Sequence, residues 1–273
     1  MNENKIIKYF VYKGTGGLFH NLCGLSRAID LSISNEVTLI IDMDTWPGFG
    51  ANFNDFFTIK CNKLKYSCNY ENESFPQNLK DIQPTTAIDF GYTGHNGNFE
   101  IDYNKEINIF YGGFTKMPIY ENIQVKTEYF KIIQSKNPKI KNEYISIHFR
   151  NTDKKNDRDL FLKKITSTLN KYININTLYI ASDDYDFYDI AQNKFPNINI
   201  IRKTFFEKNI RSLHYGVKDK KKQMYDCLVD IYYILLSDVF IPSTNSGFSK
   251  AIMSMIKGNF NMFPEILSKT IIE

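Results

Sequence analysis

A chain of 273 residues, 42% hydrophobic and 23% charged, has enough material for two compact α/β domains and is neither disordered nor fibrous in composition. Its formal net charge of +4 suits an anionic small ligand and marks no nucleic-acid or membrane surface, because the densest basic run, Lys218 to Lys222, contains Asp219 and no interleaved aromatics. That run reads as a solvated loop first and as a diphosphate-facing loop second.

The first predicted strand runs from Ile6 to Tyr12 and is followed by Gly14-Thr15-Gly16-Gly17. A helix from His20 to Ser34 comes next, with apolar residues at Leu22, Leu25, Ile29 and Ile33. Val37 to Ile41 then reads as a buried parallel strand ending at Asp42, so the opening is a βαβ unit. The glycine turn has neither GxGxxG nor P-loop spacing; its glycines are expected to let a substrate approach the backbone. Trp46 to Gly50 is a turn-rich loop, and Phe53 to Phe57 a short aromatic segment. From Lys60 to Lys116 only Ile107 to Tyr111 stands out as a strand, and Ile119 to Gln134 reads as helical until Ser135-Lys136-Asn137-Pro138 breaks it.

Beyond that break the rhythm is regular. Strands at Tyr144–Phe149, Thr177–Ala181 and Ile198–Ile201 alternate with helices at Asp159–Tyr172 and Tyr185–Lys194. A helix at Met224–Leu236, a final strand at Val239–Ile241 and a helix at Phe248–Ile256 complete the pattern of a doubly wound parallel sheet. Cys23, Cys61, Cys68 and Cys227 have no CxxC spacing and His20, His95, His148 and His214 are scattered, so no metal site is expected. Cys61 and Cys68 read as a reduced pair. No apolar run reaches the length of a membrane span and the first residues lack signal-peptide order, which predicts a cytoplasmic protein.

Ligands of such sheets sit beyond the carboxyl ends of the strands, and three of those places are polar. The first is His148-Phe149-Arg150-Asn151-Thr152-Asp153-Lys154, where His148 and Arg150 share a side by strand alternation and Arg150 offers a forked donor for phosphate oxygens. The second is Ser182-Asp183-Asp184, where one carboxylate can cap the following helix and the other can accept from a ribose or base. The third is the Ser243 to Gly247 turn, which leads into a helix amino terminus suited to phosphate, with Ser246 or Ser249 adding a hydroxyl. Asp230 is anomalous, a carboxylate in an otherwise apolar helix, and needs either a structural partner or a role.

Those segments resemble, in order, the three motifs of the α1,6/α1,2/protein-O-fucosyltransferase superfamily, with closest likeness to its core α1,6 and nodulation-type members. The motifs are His148 to Lys154, Leu178 to Asp184, and Asp230-Ile231-Tyr232 through Ser246-Gly247-Phe248. Gly16-Gly17-Leu18-Phe19-His20-Asn21-Leu22 with Thr38 to Asp42 is similar to the amino-terminal glycine motif and strand of the nodulation-type enzymes, and Leu213-His214-Tyr215 to a segment before the third motif. Residues 60 to 141 are unmatched.

The resemblance implies an α/β, GT-B-like fold: two Rossmann-like domains with parallel sheets facing a cleft. The boundaries it suggests are 1–138 for an acceptor-side domain and 139–273 for a GDP-sugar-binding domain. It implies inverting, metal-independent transfer of fucose from GDP-fucose to a glycan or glycoconjugate hydroxyl, with no cofactor and no nucleic-acid partner. Arg150 would hold the β-phosphate, His148 and Asp184 would help seat the guanosine, Ser246 and the Gly247 backbone would support the diphosphate, and Asp230 would organise the donor pocket. Gly16, Gly17, His20, Asn21, Asp183, His214 and Phe248 complete the implied donor-binding set. The chain departs from the α1,6 pattern at two places: the second arginine of the first motif is Asn151, and the position of the acidic residue further on falls near Arg158. Asp153 and Asp157 are the leading substitutes for the base, with Asp159 a third. Transfer from another GDP- or UDP-sugar, and GDP-sugar binding without turnover, are the alternatives.

Overall fold

The computed structural model describes residues 8–14, 17–43, 50–68, 91–93, 101–111, 119, 122–151, 156–205 and 218–273. It divides into two compact units, 1–126 and 127–273.

The first unit opens with β1 (Tyr9–Lys13), α1 (Leu18–Asn35) and β2 (Thr38–Asp42). The predicted βαβ order is present, with the first strand shifted toward Lys13. Phe10, Val11, Leu39 and Ile40 have no accessible surface, which is why these strands are continuous apolar runs. The aromatic segment forms a one-turn helix α2 (Phe53–Phe56), capped by the Asn52 side chain, followed by β3 (Phe57–Ile59). The short strands β4 (Tyr66–Ser67) and β5 (Gly91–Thr93) and the predicted β6 (Ile107–Tyr111) complete a five-stranded sheet of order β4-β2-β1-β6-β5, in which every pairing is parallel.

The segment 119–134 is not one helix. Ile123–Val125 is a strand, β7, paired antiparallel with β3, and the helix α3 (Thr127–Lys136) starts only after it. The reason is a change of period: Ile123 and Val125 are buried on either side of a less buried Gln124, as Phe57 and Ile59 flank Thr58. Phe130 packs against Tyr232 and Phe263, and the Asn137 amide ties Ile133 O to the Tyr225 hydroxyl at 3.0 and 2.7 Å. Helix α3 therefore falls in the compact unit 127–273.

The second unit contains β8 (Ile145–Phe149), α4 (Arg158–Lys171), β9 (Thr177–Ser182), α5 (Phe187–Lys194) and β10 (Asn199–Ile201). These are followed by α6 (Lys220–Leu235), β11 (Val239–Ile241), α7 (Gly247–Ile256) and β12 (Ile271–Ile272). The all-parallel sheet has the order β10-β9-β8-β11-β12, so the strand order reverses between β8 and β11. One face is apolar: Ile145, Ile147, Phe149, Leu178 and Ile180 pack on Phe161, Leu162 and Ile165 of α4 and Phe187 of α5. Phe149 stacks on Phe187 at 4.0 Å. The other face carries Ser146, His148 and Tyr179 toward α6 and α7.

Three expectations change here. Val239–Ile241 is not the last strand, because Ile271 N–H bonds Asp238 O and Glu273 N–H bonds Phe240 O, adding the two-residue β12 at the edge. The Lys218–Lys222 run is not a loop: Asp219 caps α6 by accepting from Lys222 N–H at 2.9 Å, and the lysines form the first turn. Helix α5 starts at Phe187 with no side-chain cap, so neither Asp183 nor Asp184 caps it. All four cysteines are free, including Cys61 and Cys68.

Candidate functional site

At the strand-order reversal of the second unit, the ends of β8 and β11 bring His148, Arg150, Ser243, Ser246, Gly247, Phe248 and Ser249 together. This is the crevice in which doubly wound sheets bind ligands. The His148 Nδ1 lies 2.7 Å from the Ser249 hydroxyl, whose oxygen also accepts from Ser243 N–H at 3.0 Å. The contact fixes the orientation of the ring and leaves Nε2 as its second polar atom. Phe248 packs on the imidazole at 4.6 Å. Burial, reinforced by the Arg150 charge, lowers the His148 pKa to about 3, so the ring is neutral at any working pH. It serves as a fixed hydrogen-bonding group.

Arg150 follows β8 and keeps its side chain 20% exposed. Its Nε lies 3.9 Å from Asp183 Oδ2, too long for a tight bidentate pair. Asp183 is also held, accepting from the Asn151 backbone N–H at 2.7 Å. Opposite stands the amino terminus of α7. Ser246 is its N-cap, completely buried, with its hydroxyl accepting from Ser249 N–H. Its side chain is thus committed to the helix, and the exposed Gly247 offers backbone instead. A Cβ built on Gly247 meets nothing within 4 Å, which leaves room for a group to approach that helix end.

Asp184 stands apart from this crevice. It is 7% exposed, and its two oxygens accept Arg158 Nε and Nη2, both at 2.7 Å. Asn151 Nδ2 at 2.9 Å and Asp186 N–H at 3.2 Å complete its shell. Burial alone would raise its pKa, but Arg158 and Asn151 outweigh that and hold it below the ordinary carboxylate range. The residue at the departure point, Arg158, therefore locks Asp184 into a network. Asp157 caps α4 through Leu160 N–H at 3.0 Å, and its exposed side chain borders an open pocket of about 510 Å³ that Asn151, Asn156, Arg158 and Asp159 also line.

Asp230 is on α6, where its Oδ1 accepts from the Tyr179 hydroxyl at 2.6 Å and both oxygens lie 3.2 Å from Thr204 Oγ1. Desolvation raises its pKa to about 7 against the opposing pull of those two bonds. Sequence reasoning finds this residue from its apolar neighbours but misses Tyr179 and Thr204, since a tyrosine in a buried strand reads as core.

In the first unit Gly17 heads α1 without a side-chain cap, His20 is partly buried and Asn21 is wholly buried. The Tyr12 hydroxyl donates to Asn21 O at 2.8 Å. A Cβ at Gly14 would come within 2.8 Å of Asn21 Oδ1, so this glycine makes room for the protein's own side chain. Beside it Lys13 and Asp42, 4% and 0% exposed, form a buried ion pair at 3.1 Å. Gly16, Asp153 and His214 lie outside the described residues. Among the described residues no group of three or more His, Cys, Asp or Glu converges as metal ligands, and no helix is long and apolar enough to cross a membrane.

No family model matches the sequence, and no curated protein does. Among solved structures the chain is similar to the fucosyltransferase NodZ from Bradyrhizobium, at 15% identity over 90% of this chain and 93% of that one, with a TM-score of 0.56. It is similar to POFUT1 in complex with GDP at 10% identity, 97% and 98% coverage and a TM-score of 0.58. An Arabidopsis thaliana FUT1 variant in complex with GDP gives 11% identity, 91% and 68% coverage and a TM-score of 0.55. The likeness establishes an α/β fold of two Rossmann-like units with parallel sheets, that of the GT-B fucosyltransferases. The fold and the motif resemblance thus point to one group of proteins.

Proposed function

We propose that this protein transfers L-fucose from GDP-fucose to a hydroxyl of a glycan or glycoconjugate acceptor, inverting the anomeric carbon. The observation that carries the reading is that Arg150, after β8, and the α7 amino terminus, after the neighbouring β11, flank the strand-order reversal beside a neutral His148. The structures similar in fold include NodZ soaked with GDP-fucose and POFUT1 in complex with GDP.

In the reaction the acceptor oxygen forms a bond to C1 of fucose while the bond from C1 to the β-phosphate oxygen breaks, and GDP leaves with the electron pair. Charge grows on the diphosphate as that bond lengthens. Arg150 supplies two donors in a fixed fork and the α7 backbone supplies the helix-end N–H groups, so the charge is met without a metal. His148 offers a ring nitrogen at constant charge, and Asp230 gives the donor pocket a carboxylate.

The acceptor proton passes to a carboxylate within reach. Asp153 and Asp157 are the candidates, and Asp157 retains Oδ2 while Oδ1 caps α4. Arg158 at the departure point, bound to Asp184, favours an acceptor or linkage different from the α1,6 pattern; it is also the observation that keeps transfer from another GDP- or UDP-sugar, or binding without turnover, as the second reading.

The test is to incubate the protein with chelator and GDP-fucose, GDP-mannose or a UDP-sugar over a glycan panel, reading mass gain on the acceptor. A deoxyhexose added from GDP-fucose alone supports the proposal. Transfer of a different sugar, or donor binding with no product on any acceptor, selects the second reading.

A further inference from the structure

Asp230 sits where a carboxylate is costly. Its helix buries Leu228, Val229, Ile231 and Tyr232 around it, and removing a charged carboxyl from water is unfavourable unless partners meet it. A neutral amide could accept the Tyr179 proton equally well, so hydrogen bonding within the fold does not account for an ionisable group here. The strand register shows which way it faces. His148 pairs with Ala181, and Tyr179, two residues before Ala181, emerges on the same face of the sheet as His148. Asp230 thus meets the sheet on the face that carries the crevice histidine, and part of its surface stays accessible.

We propose that Tyr179 and Thr204 are positioning residues of the donor site, which aim the Asp230 carboxyl at the nucleotide and favour its charged form against burial, so that donor binding is linked to release of a proton from the protonated fraction of Asp230. The inference rests on the donor reading above and deepens it. Tyr179 is held in turn: its ring stacks on Tyr233 at 4.7 Å, and burial, aided by Asp230, raises its own pKa well above the usual range, so it is a donor at every working pH.

The charges around Asp230 come from three elements. From β9 there is only the Tyr179 hydroxyl. From the segment after β10, Thr204 donates, and Arg202 attracts from a position where its Nε donates to Thr204 O at 2.8 Å and its guanidinium lies 5.1 Å from the Phe205 ring. From α6 itself, Asp226 one turn earlier repels, tempered by its ion pair with Lys222, and the neutral thiol of Cys227 is nearby. Lys203, 6.0 Å from the Tyr233 ring, lies behind that stack. Burial and Asp226 push the proton on; Tyr179, Thr204 and Arg202 push it off. The balance leaves the carboxyl near pH 7, where a single lost bond matters.

The sign follows. A ligand that needs the carboxylate binds weakly below the Asp230 pKa and strongly above it. Removing the Tyr179 hydroxyl takes away a bond that favours the charged form, so the midpoint rises by about one pH unit. His148 adds no step in this range, because it stays neutral down to about pH 3.

The experiment is calorimetric titration of the full chain with GDP-fucose from pH 5.5 to 9, a probe whose diphosphate has no ionisation near neutrality. Wild type is expected to lose affinity about tenfold per pH unit below a midpoint near 7. In Tyr179→Phe, which keeps the ring stack, the midpoint moves up about one unit. Thr204→Val gives a smaller shift of the same sign, and Asp230→Asn abolishes the step. Carbon-13 detection of the aspartate carboxyls in ligand-free protein should show Asp230 moving by the same amount, and it is the match between that shift and the shift in binding midpoint that a merely structural role for Tyr179 would not produce. An unchanged midpoint in Tyr179→Phe, or wild-type affinity independent of pH, overturns the inference and leaves the donor reading standing. Failure of wild type to bind GDP-fucose at any pH overturns both.

Discussion

The two units carry sheets that share the turn from a central strand into a helix, and both helices start at a glycine with open surroundings, yet the residues at the ends of the two central strands differ. In the first unit the end of β1 is filled from within: Lys13 and Asp42 pair in the interior, and Asn21 occupies the space that Gly14 leaves. In the second unit Arg150, after β8, keeps part of its side chain in solvent, and Gly247 at the start of α7 meets nothing within 4 Å among the described residues, as Gly17 does at the start of α1. A Rossmann-like topology supplies a place for a ligand, and side chains decide whether the protein fills that place itself.

That contrast can be broken by substitution. The largest effect belongs to the first unit, where Lys13→Met leaves Asp42 buried without its cation and should destabilise the protein by ~3–5 kcal/mol in urea unfolding. A loss below ~1 kcal/mol would mean that the pair is solvated. A matched pair of glycine changes sharpens the point. Gly14→Ala forces a methyl against Asn21 and should cost about 1–3 kcal/mol, whereas Gly247→Ala clashes with nothing in the protein and should change stability by less than ~0.5 kcal/mol. Its effect should appear instead as weaker GDP binding, since the methyl occupies the approach to the α7 backbone. Equal destabilisation by the two would remove the distinction between filled and open strand ends.

Much of the second unit was legible in the sequence because its strands are apolar runs that end abruptly in polar clusters, at Arg150, Asp183 and Ser243. Both periodicity and punctuation point the same way there. The first unit was less legible: β7 is three residues long and adjoins a helix of similar apolar content, so period alone does not separate them. β12 is two residues long and exists only through backbone bonds to β11.

Within the site, residue type was a better guide than role. Arg150, His148, Gly247 and Phe248 converge as their spacing suggests. Asp184 and Ser246 look like ligand contacts in sequence, but the structure commits one to Arg158 and Asn151 and the other to capping α7. Which partner claims a polar group depends on residues distant in sequence, as the pairing of Arg158 with Asp184 across 26 positions illustrates.

The central claim is that the open end of the second sheet is a GDP site built on Arg150, and the most direct measurement is calorimetric titration with GDP in the presence of chelator for wild type and Arg150→Ala. The account predicts binding by wild type and a loss of about 100-fold in the variant, with cooperative unfolding of the variant showing that it remains folded. Equal affinity of the two proteins for GDP would contradict it.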